Sequence, residues 1–212
     1  MSKRARAVHD SAAYLLHATA WRETSLVIQI FSRDHGCVAM VAKGAKRPYS
    51  VLRPVLSAFQ PLALSWTGAA EVKTLTRADV AGIRALTGSA LMSGWYMNEL
   101  LLRFLPREDA HPQLFDAYDM ALQLLGSGAR AAGALRRFEW ALLRETGYGL
   151  SGEEPDFDDI AAEPALRKLL REKLNEQLVG RPLSTRRVLM EFQSRFVDRG
   201  PPVIEGEPPP EK

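Results

Sequence analysis

Trp21-Arg22-Glu23-Thr24-Ser25 opens onto the apolar run Leu26-Val27-Ile28-Gln29-Ile30-Phe31, and Arg33-Asp34-His35-Gly36 separates it from Cys37-Val38-Ala39-Met40-Val41-Ala42. Lys43-Gly44-Ala45-Lys46-Arg47 follows at once. Leu26, Ile28 and Ile30 recur every two residues, and β-branched residues are frequent, so the first run reads as a strand. Gly36 can take the positive φ of a tight turn, which makes 25–42 a hairpin. The hairpin feeds a glycine-containing basic loop with few carboxylates near it in sequence. A small β scaffold that carries unbalanced positive charge suits a phosphate backbone.

The neighbouring segments extend the same pattern. Residues 12–19 read as an earlier strand. Residues 43–54 read as a loop, because Gly44, Pro48 and Pro54 are poor inside a strand. Residues 58–67 read as a fourth strand, placed at an edge by Pro61, and 71–76 as a fifth. Five short strands within about eighty residues predict a small closed barrel of the OB type. An SH3-like barrel would give a similar strand count.

After a boundary at 79–83 the apolar period lengthens to that of helices. Helices are expected over 83–105, from His111-Pro112 to Leu125, and over 129–146, 165–179 and 184–199. Pro106 stops the first, Gly126-Ser127-Gly128 breaks the second, Gly147 caps the third, and Ser184 is an N-cap for the last. The fold class is therefore α+β: an N-terminal five-stranded OB-type β-barrel over 1–80, followed by a C-terminal α-helical domain over 81–200. Residues 201–212 are rich in proline and are expected to be disordered.

At 212 residues, with 46% apolar and 25% charged side chains, the chain is an ordinary folded protein of mildly basic pI. The distribution of charge is more telling than its total. Met1 to Arg53 holds nine bases, Lys3, Arg4, Arg6, Arg22, Arg33, Lys43, Lys46, Arg47 and Arg53, against the acids Asp10, Glu23 and Asp34. Ser151 to Glu163 holds six acids and no base. One cysteine, Cys37, excludes an internal disulfide and a Cys-rich zinc cluster. Ala12 to Leu16 is too short for the ~7–15 apolar residues of an export signal. No run reaches the ~18 residues of a membrane span. The chain is expected to be cytoplasmic, with no membrane association.

These residues resemble the bacterial recombination mediator family RecO. The resemblance rests on Trp21-Arg22-Glu23-Thr24-Ser25, Phe31, Gly36, Val41-Ala42-Lys43-Gly44-Ala45-Lys46, Ser50, Leu52, Phe59-Gln60-Pro61 and Glu71-Val72-Lys73-Thr74-Leu75. In the second half it rests on Tyr96, Asn98-Glu99-Leu100, Arg137-Phe138-Glu139, Leu142-Leu143, Gly147-Tyr148, Gly180-Arg181-Pro182-Leu183, Ser184 and Arg186. It covers most of residues 14–196. It implies an OB-fold with a helical domain, binding of single- and double-stranded DNA, and annealing of complementary strands. It also implies contact with the acidic C-terminal tail of the single-strand binding protein, and cooperation with RecR in loading RecA. The chain alone is expected to be a monomer. Many members carry a four-cysteine zinc module after the position of Gly147-Tyr148. Here residues 150–162 are short, acidic and free of cysteine, so no zinc and no other cofactor is expected.

The DNA-binding candidates are Arg22, Lys43, Lys46, Arg47, Arg53 and Tyr49. Neutralising phosphates releases counterions and drives binding, and Gly44 lets a phosphate approach the backbone. Kept merely for solubility, the same loop would be basic too. Trp21, Tyr49 and Phe59 could stack on bases. Core packing is favoured for Phe59 and somewhat favoured for Trp21, while Tyr49 lies beside Pro48 in a polar loop. Arg136 and Arg137 are the partner-binding candidates, since an acidic tail with an apolar end needs a cation beside an apolar pocket. An ordinary exposed arginine pair is the competing reading. Asp156, Asp158 and Asp159 lack the spacing of a calcium loop, and the four histidines form no i, i+4 pair. No serine-nucleophile elbow or phosphate loop is present, so no enzyme is expected. The alternative function is a protein–protein adaptor with a structural barrel and little intrinsic DNA binding.

Overall fold

The structure, a computed structural model, describes residues 7–148, 150, 152–178 and 183–185. Five strands come first: β1 (Val8–Trp21), β2 (Ser25–Ser32), β3 (Gly36–Ala42), β4 (Pro61–Thr67) and β5 (Val72–Val80). They close in the order β1-β2-β3-β5-β4, with every pair antiparallel except β3 and β5. That order, with its one parallel closure, is an OB-type barrel, and it removes the SH3-like alternative. Closure also leaves no edge for Pro61. It opens β4 opposite Tyr14 instead, at the first position of a strand, where its missing N–H costs little.

The two-residue period divides the barrel strands between two cores. Ala13, Leu15, Ile28, Ile30, Val38 and Met40 fill the barrel. Tyr14, Leu16, Phe31 and Cys37 point the other way and are buried by helices. Those helices are α2 (Gly88–Phe104), α3 (Pro112–Gly126), α4 (Ala131–Glu145) and α5 (Glu163–Leu178), numbered after a single short turn, α1 (Leu52–Val55), between β3 and β4. Among the described residues, no helix is long and apolar enough to cross a membrane.

The helix expected from Ile83 begins at Gly88. Gln60 explains the delay: its side-chain amide donates to the Arg84 carbonyl at 2.6 Å, and its Oε1 accepts the Arg84 N–H at 2.9 Å. Both backbone groups of Arg84 are thus taken by a strand-end side chain, which keeps the connection extended. The fifth helix expected over 184–199 lies outside the described residues apart from Ser184 and Thr185, as do the segment 179–182, Arg186, Arg187 and the tail.

Polar contacts pin the barrel to the helices. Asn98 donates to the Leu16 carbonyl at 3.0 Å and accepts from Tyr118 Oη at 2.5 Å. Burial raises the Tyr118 phenol well above its ordinary range, so it serves as a neutral donor. Asp119 accepts from Tyr14, from Arg84 at 3.0 Å and from Gln123 at 2.8 Å. Gly36, at φ +65°, lies so close to the backbone of Asp109 that an added Cβ would sit 1.8 Å from its carbonyl oxygen. The seam is a continuous packed interior, and the barrel is held in a fixed pose on the helices.

Candidate nucleic-acid interface and partner groove

β1 pairs with β4 from Val8 to Tyr14 and with β2 from Ala13 to Trp21, so beyond Tyr14 it pairs with β2 alone. On that stretch β1 lacks the β4 neighbour, while β2 stays paired with β3 as far as Leu26. Trp21, at the end of β1, is 48% exposed, which corrects the core packing favoured for it: β4 stops pairing with β1 at Tyr14 and does not flank this end. The Arg22 guanidinium lies over the Trp21 ring, 5.9 Å from its centroid. Phe59 is buried, packs edge-on against Trp95 and belongs to the helical core, as its apolar surroundings in sequence suggest.

β3 ends at Ala42, which pairs with Leu26, so the basic loop leaves the barrel beside the β1–β2 turn. The Lys46 N–H donates to the Thr24 carbonyl at 2.9 Å and joins loop to turn. Ala45 is buried beneath, while Lys43, Lys46 and Arg47 are exposed. Gly44, at φ +73°, accepts from the Arg47 N–H at 3.0 Å and gives the loop its sharp reversal. The chain then tightens through Ser50 N–H to Arg47 O at 3.1 Å and Arg53 N–H to Ser50 O at 3.2 Å. Arg22 is thereby carried on the turn, Lys43, Lys46, Arg47 and Tyr49 on the loop hydrogen-bonded to it, and Arg53 on α1, which continues the loop.

Charge pairing sets this region apart. Arg33 is held by Asp116, Lys73 by Glu108, Arg84 by Asp119 and Arg107 by Glu71. No described carboxylate lies within 4.0 Å of the charged nitrogens of Arg22, Lys43, Lys46, Arg47 or Arg53. Ion pairs between the barrel and the helical half neutralise cations around the seam, and no described acid comes to the loop.

Arg136 and Arg137 diverge. Arg136 is buried, with Nε 2.9 Å from Glu139 and NH1 3.6 Å from Glu163. Tyr96 Oη also donates to Glu139, at 2.7 Å. Arg136 thus ties α4 to α5 inside the protein. Arg137 lies on the surface, in a groove of about 340 Å³ between α3 and α4 lined also by Met120, Trp140, Arg144 and Glu154. Sequence reasoning missed Trp140 and Arg144, although 137, 140 and 144 fall on one helical face at spacings of three and four. The acidic stretch approaches the same helix: Phe157 is buried under the Arg137 guanidinium, 5.2 Å from its ring centroid, and Asp158 lies 3.9 Å from Arg137. Among the described residues no cluster of histidine, cysteine or acidic side chains could hold a metal ion. Cys37 is in β3, buried at the seam, and the segment after Tyr148 offers no thiolate, so the residues present do not fit a zinc module.

Comparison with known proteins agrees with this architecture. Residues 7–84 match the family model "Recombination protein O N terminal", and residues 86–154 match "Recombination protein O C terminal". The chain is 44% identical to a DNA repair protein RecO of Aromatoleum aromaticum, over 91% of this chain and 99% of the relative. It is 45% identical to a RecO of Cupriavidus metallidurans, over 88% of this chain and 78% of the relative. The first alignment runs over 239 positions, more than the 212 residues of this chain, so that relative carries insertions this chain lacks. With both halves matched and such identity along its length, the chain belongs to the RecO family of DNA repair proteins.

Proposed function

We propose that this chain is a non-enzymatic mediator of DNA repair and recombination. Its barrel end binds single- and double-stranded DNA through Arg22, Lys43, Lys46, Arg47 and Arg53. The observation that carries this reading is that they share one turn and loop where no described carboxylate pairs with them. Cations already paired gain little by meeting a phosphate, whereas unpaired cations exchange only loosely held counterions for it. Annealing follows from the same charge: strands with neutralised backbones approach each other with less repulsion. The groove of Arg137, Arg144, Trp140 and Met120 suits the acidic tail of a single-strand binding protein, with an apolar end against the rings and carboxylates near the cations. With RecR, such a protein would help load RecA onto coated strands.

The test is a DNA titration at several salt concentrations with wild type and the Lys43→Ala/Lys46→Ala/Arg47→Ala variant. Each lost contact should reduce the log–log salt slope by about 0.7 on single strands. Unchanged affinity and slope would remove the loop from the mechanism. The groove alone would support a protein–protein adaptor, and a wild type that shifts no oligonucleotide at low salt would favour that reading.

A further inference from the structure

The charged loop also holds apolar side chains that the fold does not use. Tyr49 is 99% exposed and Val51 is 79% exposed. Among the described residues the Tyr49 hydroxyl makes no hydrogen bond, and its ring packs on no other ring. Exposed tyrosine gives nothing to folding here, because it covers no apolar surface. Yet its position is defined. The turns 44–47, 47–50 and 50–53 are each closed by a main-chain hydrogen bond, and Ser50 Oγ accepts the Leu52 N–H at 3.3 Å. Tyr49 thus stands on a braced turn beside an open cleft of about 530 Å³. Its lining includes Pro48, Tyr49, Val51 and Leu52 together with Lys43, Gly44 and Arg47.

We infer that this cleft is a subsite for a single unpaired nucleotide, and that Tyr49 selects single strands over duplex. The inference rests on the DNA-binding reading above and deepens it. The lining combines two kinds of chemistry. Lys43 and Arg47 face the phosphate, and Gly44 leaves room for it to approach the backbone. The Tyr49 ring takes the face of a base, which is a sequence-tolerant contact because every base has one. Paired bases in a duplex are stacked on each other and cannot present a face, so duplex DNA uses the cations alone. Trp21 does not serve equally: the Arg22 guanidinium already covers one face of its ring. The cleft's volume lies within the ~300–1,000 Å³ typical of small-molecule sites, which accommodates one nucleotide.

The experiment uses the full chain with Tyr49→Ala, Tyr49→Phe and Lys43→Ala/Arg47→Ala. The probes are labelled oligothymidine, the same strand with abasic sites, and a duplex of equal length, read by fluorescence anisotropy at fixed salt. Tyr49→Ala should lose at least about fivefold in affinity for oligothymidine and leave duplex affinity unchanged. Tyr49→Phe should behave as wild type. Wild type should lose affinity for the abasic strand by the same factor. Because Tyr49 packs on nothing, unfolding does not confuse the result, and unchanged thermal melting confirms it. Equal losses on oligothymidine and duplex, or none on either, overturn the inference while leaving the charge-based reading intact. If instead Lys43→Ala/Arg47→Ala binds both probes as wild type does, the charge-based reading fails and the subsite falls with it.

Discussion

Arg33 at the end of the β2 hairpin turn and Asp116 in α3 face each other across the seam, joined by two parallel hydrogen bonds of 2.9 Å each. They lie 83 residues apart in the chain. The Arg33 guanidinium holds the Asp116 carboxyl below its ordinary range. A carboxylate whose folded pKa is depressed adds stability that is complete above its unfolded value, near 3.9, and is lost as pH falls through the folded value. The Arg33→Gln variant should therefore be less stable than wild type at pH 7, with the difference shrinking as pH falls below the unfolded carboxyl value. Urea unfolding at a series of pH values measures it, and a constant difference down to pH 2 would show that Asp116 is not the partner that matters.

Glu99 belongs to the same acid-sensitive set. Burial would raise it, but the Thr185 hydroxyl at 2.6 Å, the N–H groups of Thr185 and Ser184, and Arg103 together hold it below its ordinary range. The sign is the same as for Asp116. Glu99→Gln should weaken the attachment of the segment at 183–185 at neutral pH and have no effect in strong acid. Hydrogen exchange of the Ser184 and Thr185 amides against pH is the measurement.

Cys37 reports on the seam itself. Its thiol is buried, and burial alone pushes its pKa up to about 12. The thiolate is the reactive form, so alkylation of the native protein at pH 8 should be slow and limited by opening of the barrel away from the helices. Asp116→Asn and Asn98→Ala should speed it at unchanged reagent concentration. Rapid stoichiometric labelling of the wild type would contradict the packing described.

Arg136 sits between Glu139 and Glu163 in the interior of the helical half. Removing the cation breaks the buried Arg136–Glu139 ion pair, and breaking such pairs from one side costs about 3–5 kcal/mol. Arg136→Ala should be destabilised by that order in urea, while Arg137→Ala on the surface should lose well under 1 kcal/mol. Similar small losses for both would mean that solvent reaches the Arg136 site.

The segment 153–159 brings its own acids to the groove proposed for an acidic partner, with Glu154 in the lining and Asp158 near Arg137. A peptide that carries carboxylates and an apolar end has to share the cations with them. Glu154→Gln/Asp158→Asn should therefore bind such a peptide more tightly than wild type, and Arg137→Ala/Arg144→Ala more weakly. Calorimetry with one synthetic acidic peptide decides both. No binding by wild type would remove the groove from the mechanism, whereas binding unaffected by Glu154→Gln/Asp158→Asn would remove only the competition.

Local pattern carried much of this protein. The alternation of Leu26, Ile28 and Ile30, the glycine turn at Gly36 and the change of period after β5 announced the barrel and the helices, because side-chain direction repeats with backbone geometry and is written residue by residue. The surplus of bases before Arg53 was legible for the same reason. What local pattern could not carry was the identity of distant neighbours. Trp21 is exposed because β4 stops pairing at Tyr14, α2 starts late because Gln60 reaches Arg84, and Arg136 is interior because α5 brings Glu163 to it. Arg33, Lys73 and Arg84 are neutralised by acids that lie far along the chain, and no described acid reaches the loop cations. Which charges are paired depends on what folding brings within a few ångströms, and no periodicity records that.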